Sequence, residues 1–221
     1  MIEKILPPDV RVAEVFDDDQ PAPLFPEEEA LVTHSTDKRR REFATVRACA
    51  RRALGELGLP PVALTRGRNG APRWPSGVVG SMTHCRGYRA AVVARTGALA
   101  SIGIDAEPAR PLPHGVLGMV TRQDERATLS RLEEDMPGIH WDRLIFSAKE
   151  AVYKAWFPLT ERWLGFTDAV VEIDPGGAFT ARVLLPDSPA LGRDGFRGSW
   201  LACDGFLLTA VTVDPVRSGA K

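Results

Sequence analysis

The stretch Ile145-Phe146-Ser147-Ala148-Lys149-Glu150-Ala151-Val152-Tyr153-Lys154-Ala155-Trp156-Phe157 decides the reading of this chain. Its apolar residues Ala148, Val152, Ala155 and Leu159 recur at helical spacing, and Pro158 marks the expected end of the helix. Ser147 with Glu150 three residues later has capping-box spacing, which puts Glu150 in a first turn. Glu150 and Lys154 stand four apart, so a carboxylate and an ammonium share one face. Alone, such a pair is an ordinary feature of a surface helix.

A second stretch gives the pair a context. Leu99 to Glu107 alternates as a strand, with Ala100, Ile102 and Ile104 on one face and Asp105 and Glu107 on the other. Two residues along a strand span about 7 Å, so the two carboxylates are neighbours, and Pro108 then ends the pairing. Adjacent carboxylates repel unless a cation lies between them. An oxygen-only set suits Mg²⁺, which binds through one or two carboxylates together with substrate phosphates. The plain alternative is a solvated strand end.

Around these two stretches the chain falls into two similar outlines. A helix is expected over 37–57, with a core stripe of Phe43, Val46, Ala50, Ala53, Leu54 and Leu57 and a row of arginines beside it. Its cationic start, Lys38 to Arg41, opposes the helix macrodipole and calls for an anion, supplied by Glu42 or by a ligand phosphate. A turn-rich connection follows, and then strands over 77–85, 88–94 and 99–105. After the proline linker 108–113, a helix opens near Thr121, Pro137-Gly138 precedes the helix 141–157, and strands are expected over 169–173, 179–185, 198–203 and 206–213. The fold class is therefore α+β, with residues 1–108 and 109–221 as two halves. Asp17 to Asp19 reads as a solvated acidic loop, and the tail from Ser218 as disordered.

Composition narrows the function. A net charge of −1 gives no global field that would draw nucleic acid. No apolar run reaches the length of about 18 residues that a membrane helix needs. The start Met1 to Pro8 lacks a signal-peptide pattern, and Cys49, Cys85 and Cys203 are too scattered for a metal site, so a cytoplasmic protein with reduced thiols is expected.

Taken together, Gly103-Ile104-Asp105-Ala106-Glu107 and Phe146-Ser147-Ala148-Lys149-Glu150-Ala151-Val152-Tyr153-Lys154 resemble the paired signature of the 4′-phosphopantetheinyl transferases. That signature is a G-[IV]-D-x-E strand followed by a [FW]-[ST]-x-K-E-[AS]-x-x-K helix. The length of 221 residues is similar to the monomeric surfactin-synthetase-activating and enterobactin-synthase component D type.

The resemblance implies a pseudo-twofold pair of α+β halves, each a long helix on a small antiparallel sheet, with the active site between them. It implies that coenzyme A is the substrate and that Asp105, Glu107 and Glu150 hold Mg²⁺, with Mn²⁺ as the alternative. Glu150 is then the metal ligand and the family's candidate base. A first-turn position and a bound cation both favour its ionised form, which suits the ligand role better. Lys154 would stabilise charge on the pyrophosphate, and Lys149 would contact phosphate. Arg47 and either Arg39 or Arg40 match the basic residues that meet the 3′-phosphate. Thr83 and His84 match an N-x-[ST]-H element, with Ser81 in place of Asn. Ala71 stands where a G-[KR]-P element carries its basic residue, which leaves Arg66 or Arg68 to reach the same phosphates.

The implied partners are apo acyl and peptidyl carrier proteins, for which Met119, Arg122, Arg126 and Trp163 offer a basic and apolar surface. Two other readings use the same residues. One is a Mg²⁺-dependent nucleotide pyrophosphohydrolase, and the other a non-catalytic module that binds coenzyme A or a carrier protein.

Overall fold

The computed structural model describes residues 1–19, 22–185 and 195–215, so the expectation for the tail lies outside the described residues. The chain runs β1 (Arg11–Val15), α1 (Pro26–Glu29), α2 (Asp37–Glu56), β2 (Val78–Cys85), β3 (Tyr88–Arg95), β4 (Ser101–Pro108), α3 (Val116–Val120) and α4 (Gln123–Asp135). It continues through α5 (Trp141–Thr160), β5 (Ala169–Asp174), β6 (Ala178–Val183), β7 (Phe196–Cys203) and β8 (Phe206–Val213). All pairings are antiparallel and form two sheets, ordered β1-β3-β2 and β4-β8-β7-β6-β5. The α+β class expected from sequence holds. No helix among the described residues is long and apolar enough to cross a membrane.

Each long helix covers one sheet. Cys49, Ala50, Ala53 and Leu54 of α2 pack on Ala13, Ala91 and Val93 of the three-stranded sheet. Leu144, Ala148, Val152 and Ala155 of α5 pack on the five-stranded sheet through Val171, Phe179, Trp200 and Val211. A third apolar layer joins the two sheets, with Ala90 and Val92 of β3 against Ile102, Ile104 and Ala106 of β4 and Leu208 and Ala210 of β8.

Strand β4 departs from expectation in two ways. Chain order grouped it with β2 and β3, whereas it pairs with β8 from Ser101↔Val213 to Pro108↔Phe206, where the ladder stops at the expected proline. Its carboxylate face is also buried, because α5 lies on it. Along its other edge, β4 is tied to β2 by side chains: Ile104 N donates to Ser81 Oγ (3.1 Å) and Ala106 N to Thr83 Oγ1 (3.1 Å). Two hydroxyls thus satisfy backbone groups that a continuous ladder would have paired.

Helix α5 begins at Trp141, where the helix 141–157 was expected to begin, and this overturns the capping reading: Ser147 is an interior residue and not an N-cap, and Glu150 sits well inside the helix. Pro158 removes one backbone bond near the end, and the helix closes only at Glu161, whose φ of 52° is left-handed. The acidic loop is not simply solvated, since Asp18 accepts from Arg89 Nε (3.1 Å) and Nη2 (2.6 Å). Arg89 is 4% exposed, and a guanidinium that deep needs a carboxylate partner.

Candidate active site

A cleft of about 570 Å³ opens between α2, β2, the turn 66–74 and α5, a size suited to a small-molecule ligand. Arg39, Arg47, Arg66, Arg68 and Arg73 line it, together with Phe43 and His84, and Glu42 and Glu161 stand among them, Glu161 accepting from Arg68 Nη1 (2.7 Å). Glu150, Tyr153 and Lys154 of α5 line the same cleft.

Helix α2 supplies Arg39 and Arg47 of the cationic lining. Thr36 caps the helix through the Arg39 N–H (3.3 Å), and Phe43 and Arg47 follow on one face. The Arg47 guanidinium lies 3.3 Å from the Phe43 ring centroid and donates through Nε to Leu64 O (3.2 Å). Burial lowers its pKa to about 10, so it stays charged at neutral pH. Arg66 approaches the same ring at 5.5 Å. Arg39 Nη1 is hydrogen-bonded to His84 Nε2. Burial, then the neighbouring Arg39 charge, pushes the His84 pKa down to about 4, so the imidazole is neutral near pH 7. Sequence left Arg39 and Arg40 unseparated. In the structure Arg39 faces the cleft, while Arg40 turns away to Glu29 (3.1 Å).

The carboxylates sit on α5 and β4. Asp105 is 6% exposed and accepts three hydrogen bonds: Lys154 Nζ (2.7 Å) and Thr83 Oγ1 (3.2 Å) on Oδ1, and Ser147 Oγ (2.9 Å) on Oδ2. Glu107 accepts from Arg143 Nη1 (2.9 Å). Burial raises the Glu107 pKa and the Asp105 charge raises it further, with Arg143 opposing. Burial raises the Glu150 pKa as well, with Lys154 opposing and the two β4 carboxylates adding to the rise. Three acids that repel one another through oxygen-only donors fit a hard divalent cation chemically. They are not preassembled, since among the described residues no three His, Cys, Asp or Glu side chains are gathered closely enough to hold a metal. Lys154 supplies the positive charge on Asp105 instead.

Four residues expected at the cleft do not line it: Asp105, Glu107, Lys149 and Thr83. Lys149 is 3% exposed, and its ammonium is fully used on Glu125 Oε2 (2.7 Å), Phe166 O (2.8 Å) and Ala169 O (3.0 Å). It pins α4 and β5 to α5. Helical arithmetic carried this signal, because Lys149 projects roughly opposite to Ser147 and Lys154. Thr83 does not line the cleft either, its hydroxyl being held between Asp105 and the Ala106 N–H.

Sequence reasoning missed Arg143, which ties Glu107 to the linker through Arg110 O (3.1 Å) and Pro111 O (2.7 Å). It also missed Tyr153, whose buried hydroxyl lies beside Asn69 at the cleft. Of the surface suggested for a partner, Met119 and Trp163 are each 68% exposed, and Trp163 packs edge-on against Tyr153. Arg122 and Arg126 are partly engaged with Thr167 O and Thr121 O.

Comparison with known proteins agrees with this geometry. Residues 27–94 match the 4′-phosphopantetheinyl transferase N-terminal domain, and residues 101–203 match the 4′-phosphopantetheinyl transferase superfamily. The chain is 57% identical to the 4′-phosphopantetheinyl transferase Svp of Streptomyces mobaraensis, over 89% of this chain and 81% of that one. It is 50% identical to Npt of Nocardia iowensis, over 96% and 99%. Identity to PptT of Mycobacterium tuberculosis is 47%, over 93% and 92%. With both domains matched in order and relatives aligned over most of their length, the chain belongs to the 4′-phosphopantetheinyl transferase superfamily.

Proposed function

We propose that this protein transfers the 4′-phosphopantetheine arm of coenzyme A to a serine of apo acyl or peptidyl carrier proteins, releasing 3′,5′-ADP. The observation that carries the reading is one cleft lined both by arginines of α2 and the 66–74 turn and by Glu150 with Lys154 of α5. Arg39, Arg47 and Arg66, with neutral His84 as a further donor, suit the phosphates of the nucleotide half. The serine oxygen attacks the β-phosphoryl group, the bridging P–O bond breaks, and the serine proton passes to a base.

Glu150 is that base, directly or through a water. The first-turn argument for its weak basicity falls away, because α5 starts at Trp141. Burial moves its pKa upward in the metal-free protein, while a bound cation would favour its ionised form. Lys154 then offsets negative charge on the departing 3′,5′-ADP. Asp105, Glu107 and Glu150 would hold Mg²⁺, or Mn²⁺ in its place. When bound, the cation supplies Lewis-acid stabilisation of the phosphoryl oxygens.

The same proposal includes a pseudo-twofold arrangement of two halves, 1–108 and 109–221, with β4 of the first completing the sheet of the second. It includes action as a monomer, and a cytoplasmic location read from three unpaired thiols. Incubation of an apo carrier protein with this protein, coenzyme A and Mg²⁺, followed by intact-mass spectrometry, tests the reaction. The carrier should gain one phosphopantetheine arm. Coenzyme A cleavage with an unchanged carrier would instead mark a nucleotide pyrophosphohydrolase. Binding without turnover would mark a non-catalytic module.

A further inference from the structure

Helix α5 lies along β4 in a fixed register. Ser147 Oγ donates to Asp105 Oδ2 (2.9 Å), Ala151 O lies against Gly103, and Ala155 O accepts from Ser101 Oγ (2.8 Å). Each step of four helical residues meets a step of two strand residues. The advances are about 6 Å and about 6.7 Å, close enough for the contacts to repeat.

The proton positions at the Asp105 end follow from counting donors. Thr83 Oγ1 accepts from Ala106 N, which leaves its own proton for Asp105 Oδ1. Thr209 gives its one hydroxyl proton to Ser147 O (3.0 Å), and Ser147 gives its own to Asp105 Oδ2 (2.9 Å), while the two hydroxyl oxygens lie 2.9 Å apart. A carboxylate has about four acceptor directions. Three are filled, two on Oδ1 and one on Oδ2, so a single direction on Oδ2 remains.

We propose that Ser147 is a positioning residue. Its hydroxyl fixes the rotation of the Asp105 carboxylate, so the same oxygen direction is always offered to a divalent cation. It also sets the helix carrying Glu150 and Lys154 at constant height over the strand carrying Asp105 and Glu107. Ser147 does not line the cleft and acts through Asp105 and through the register of α5. The inference rests on the proposed Asp105, Glu107 and Glu150 metal set.

The test reads Mn²⁺ affinity by electron paramagnetic resonance, alongside coenzyme A affinity measured without metal. Ser147→Ala and Ser147→Cys should each weaken Mn²⁺ binding by about 10-fold or more, the usual effect of losing an outer-shell partner. Coenzyme A affinity without metal should stay unchanged, and Ser147→Thr should recover most of the loss. Cysteine fills the space but donates weakly, so a purely packing role would leave Ser147→Cys at wild-type affinity and overturn the proposal. Wild-type Mn²⁺ affinity in a folded Ser147→Ala protein would do the same. Failure of the wild-type protein itself to bind Mn²⁺ would remove the metal set, and this assignment with it.

Discussion

Gly103 and Ala151 are in such close contact that a Cβ at position 103 would stand 1.9 Å from the Ala151 carbonyl oxygen and 2.6 Å from the Ala155 nitrogen. Both obstacles are helix backbone, which cannot rotate aside. The glycine of the G-[IV]-D-x-E stretch is therefore a spacing device, letting α5 bring Glu150 and Lys154 down beside Asp105.

Gly103→Ala should push α5 off β4, destabilising the fold by about 1–3 kcal/mol or more through overpacking and abolishing transfer. Gly118→Ala is the control, because a Cβ there meets nothing within 4 Å. Urea denaturation with a transfer assay on the folded fraction measures both. Equal stability for the two variants would sink the spacing argument.

The two lysines of the helix should separate cleanly. Lys149→Met leaves Glu125 buried without its cation, and breaking such a pair costs about 3–5 kcal/mol. Activity per folded molecule should persist, since Lys149 is remote from the cleft. Lys154→Met should behave in the opposite way, with turnover falling by about 100-fold or more as charge stabilisation is lost. A single set of melting curves and kcat values decides between these assignments.

How far the sequence reached is clearest in α5 and β4. Their existence, their order and their paired carboxylates were legible, because period and residue type are local properties. The partner of β4 was not legible. Nothing within residues 101–108 distinguishes β8 from β3, and the choice depends on Ser81 and Thr83 hydroxyls closing the other edge. Ser147 looked like a cap because serine commonly is one. Only the tertiary placement of Asp105 and Thr209 around it shows the other use. Arg39 and Arg40 were indistinguishable for the same reason, since adjacent arginines on one helix differ only in what the rest of the chain sets opposite them.

That difference is measurable. Arg39→Ala should raise KM for coenzyme A by about 10- to 100-fold, the scale of a lost charge-assisted phosphate contact. Arg40→Ala breaks only its exposed pair with Glu29, and the typical value of such a pair is at most about 1 kcal/mol. The His84 ring gives a second readout by NMR titration. Its pKa near 4 should rise in Arg39→Ala, because one lowering charge is gone, and stay below 6.5 because burial remains. A His84 titration unmoved by Arg39→Ala would contradict the contact between them.

The raised carboxyls make a further prediction with a definite sign. Glu107 and Glu150 have folded-state pKa values above the ordinary 4.5, so over that window the folded protein binds protons that the unfolded chain has released. Their contribution to stability is complete below pH 4.5 and is lost as pH rises through the raised values, the reverse of an ion-paired carboxylate. Glu150 isolates the effect, since Arg143 compensates Glu107. In metal-free buffer near pH 7, Glu150→Gln should melt at a higher temperature than the wild type, and the two curves should converge on acidification. Mg²⁺ binding only the folded state should stabilise the wild type, by about 2.7 kcal/mol at a hundred times its dissociation constant. It should stabilise Glu150→Gln much less, because one charged ligand is missing. Thermal melts at pH 5 and pH 7, with and without Mg²⁺, test both halves. If Glu150→Gln proved less stable than the wild type at pH 7 without metal, the carboxylate would already be satisfied by the protein and would have no need of a cation.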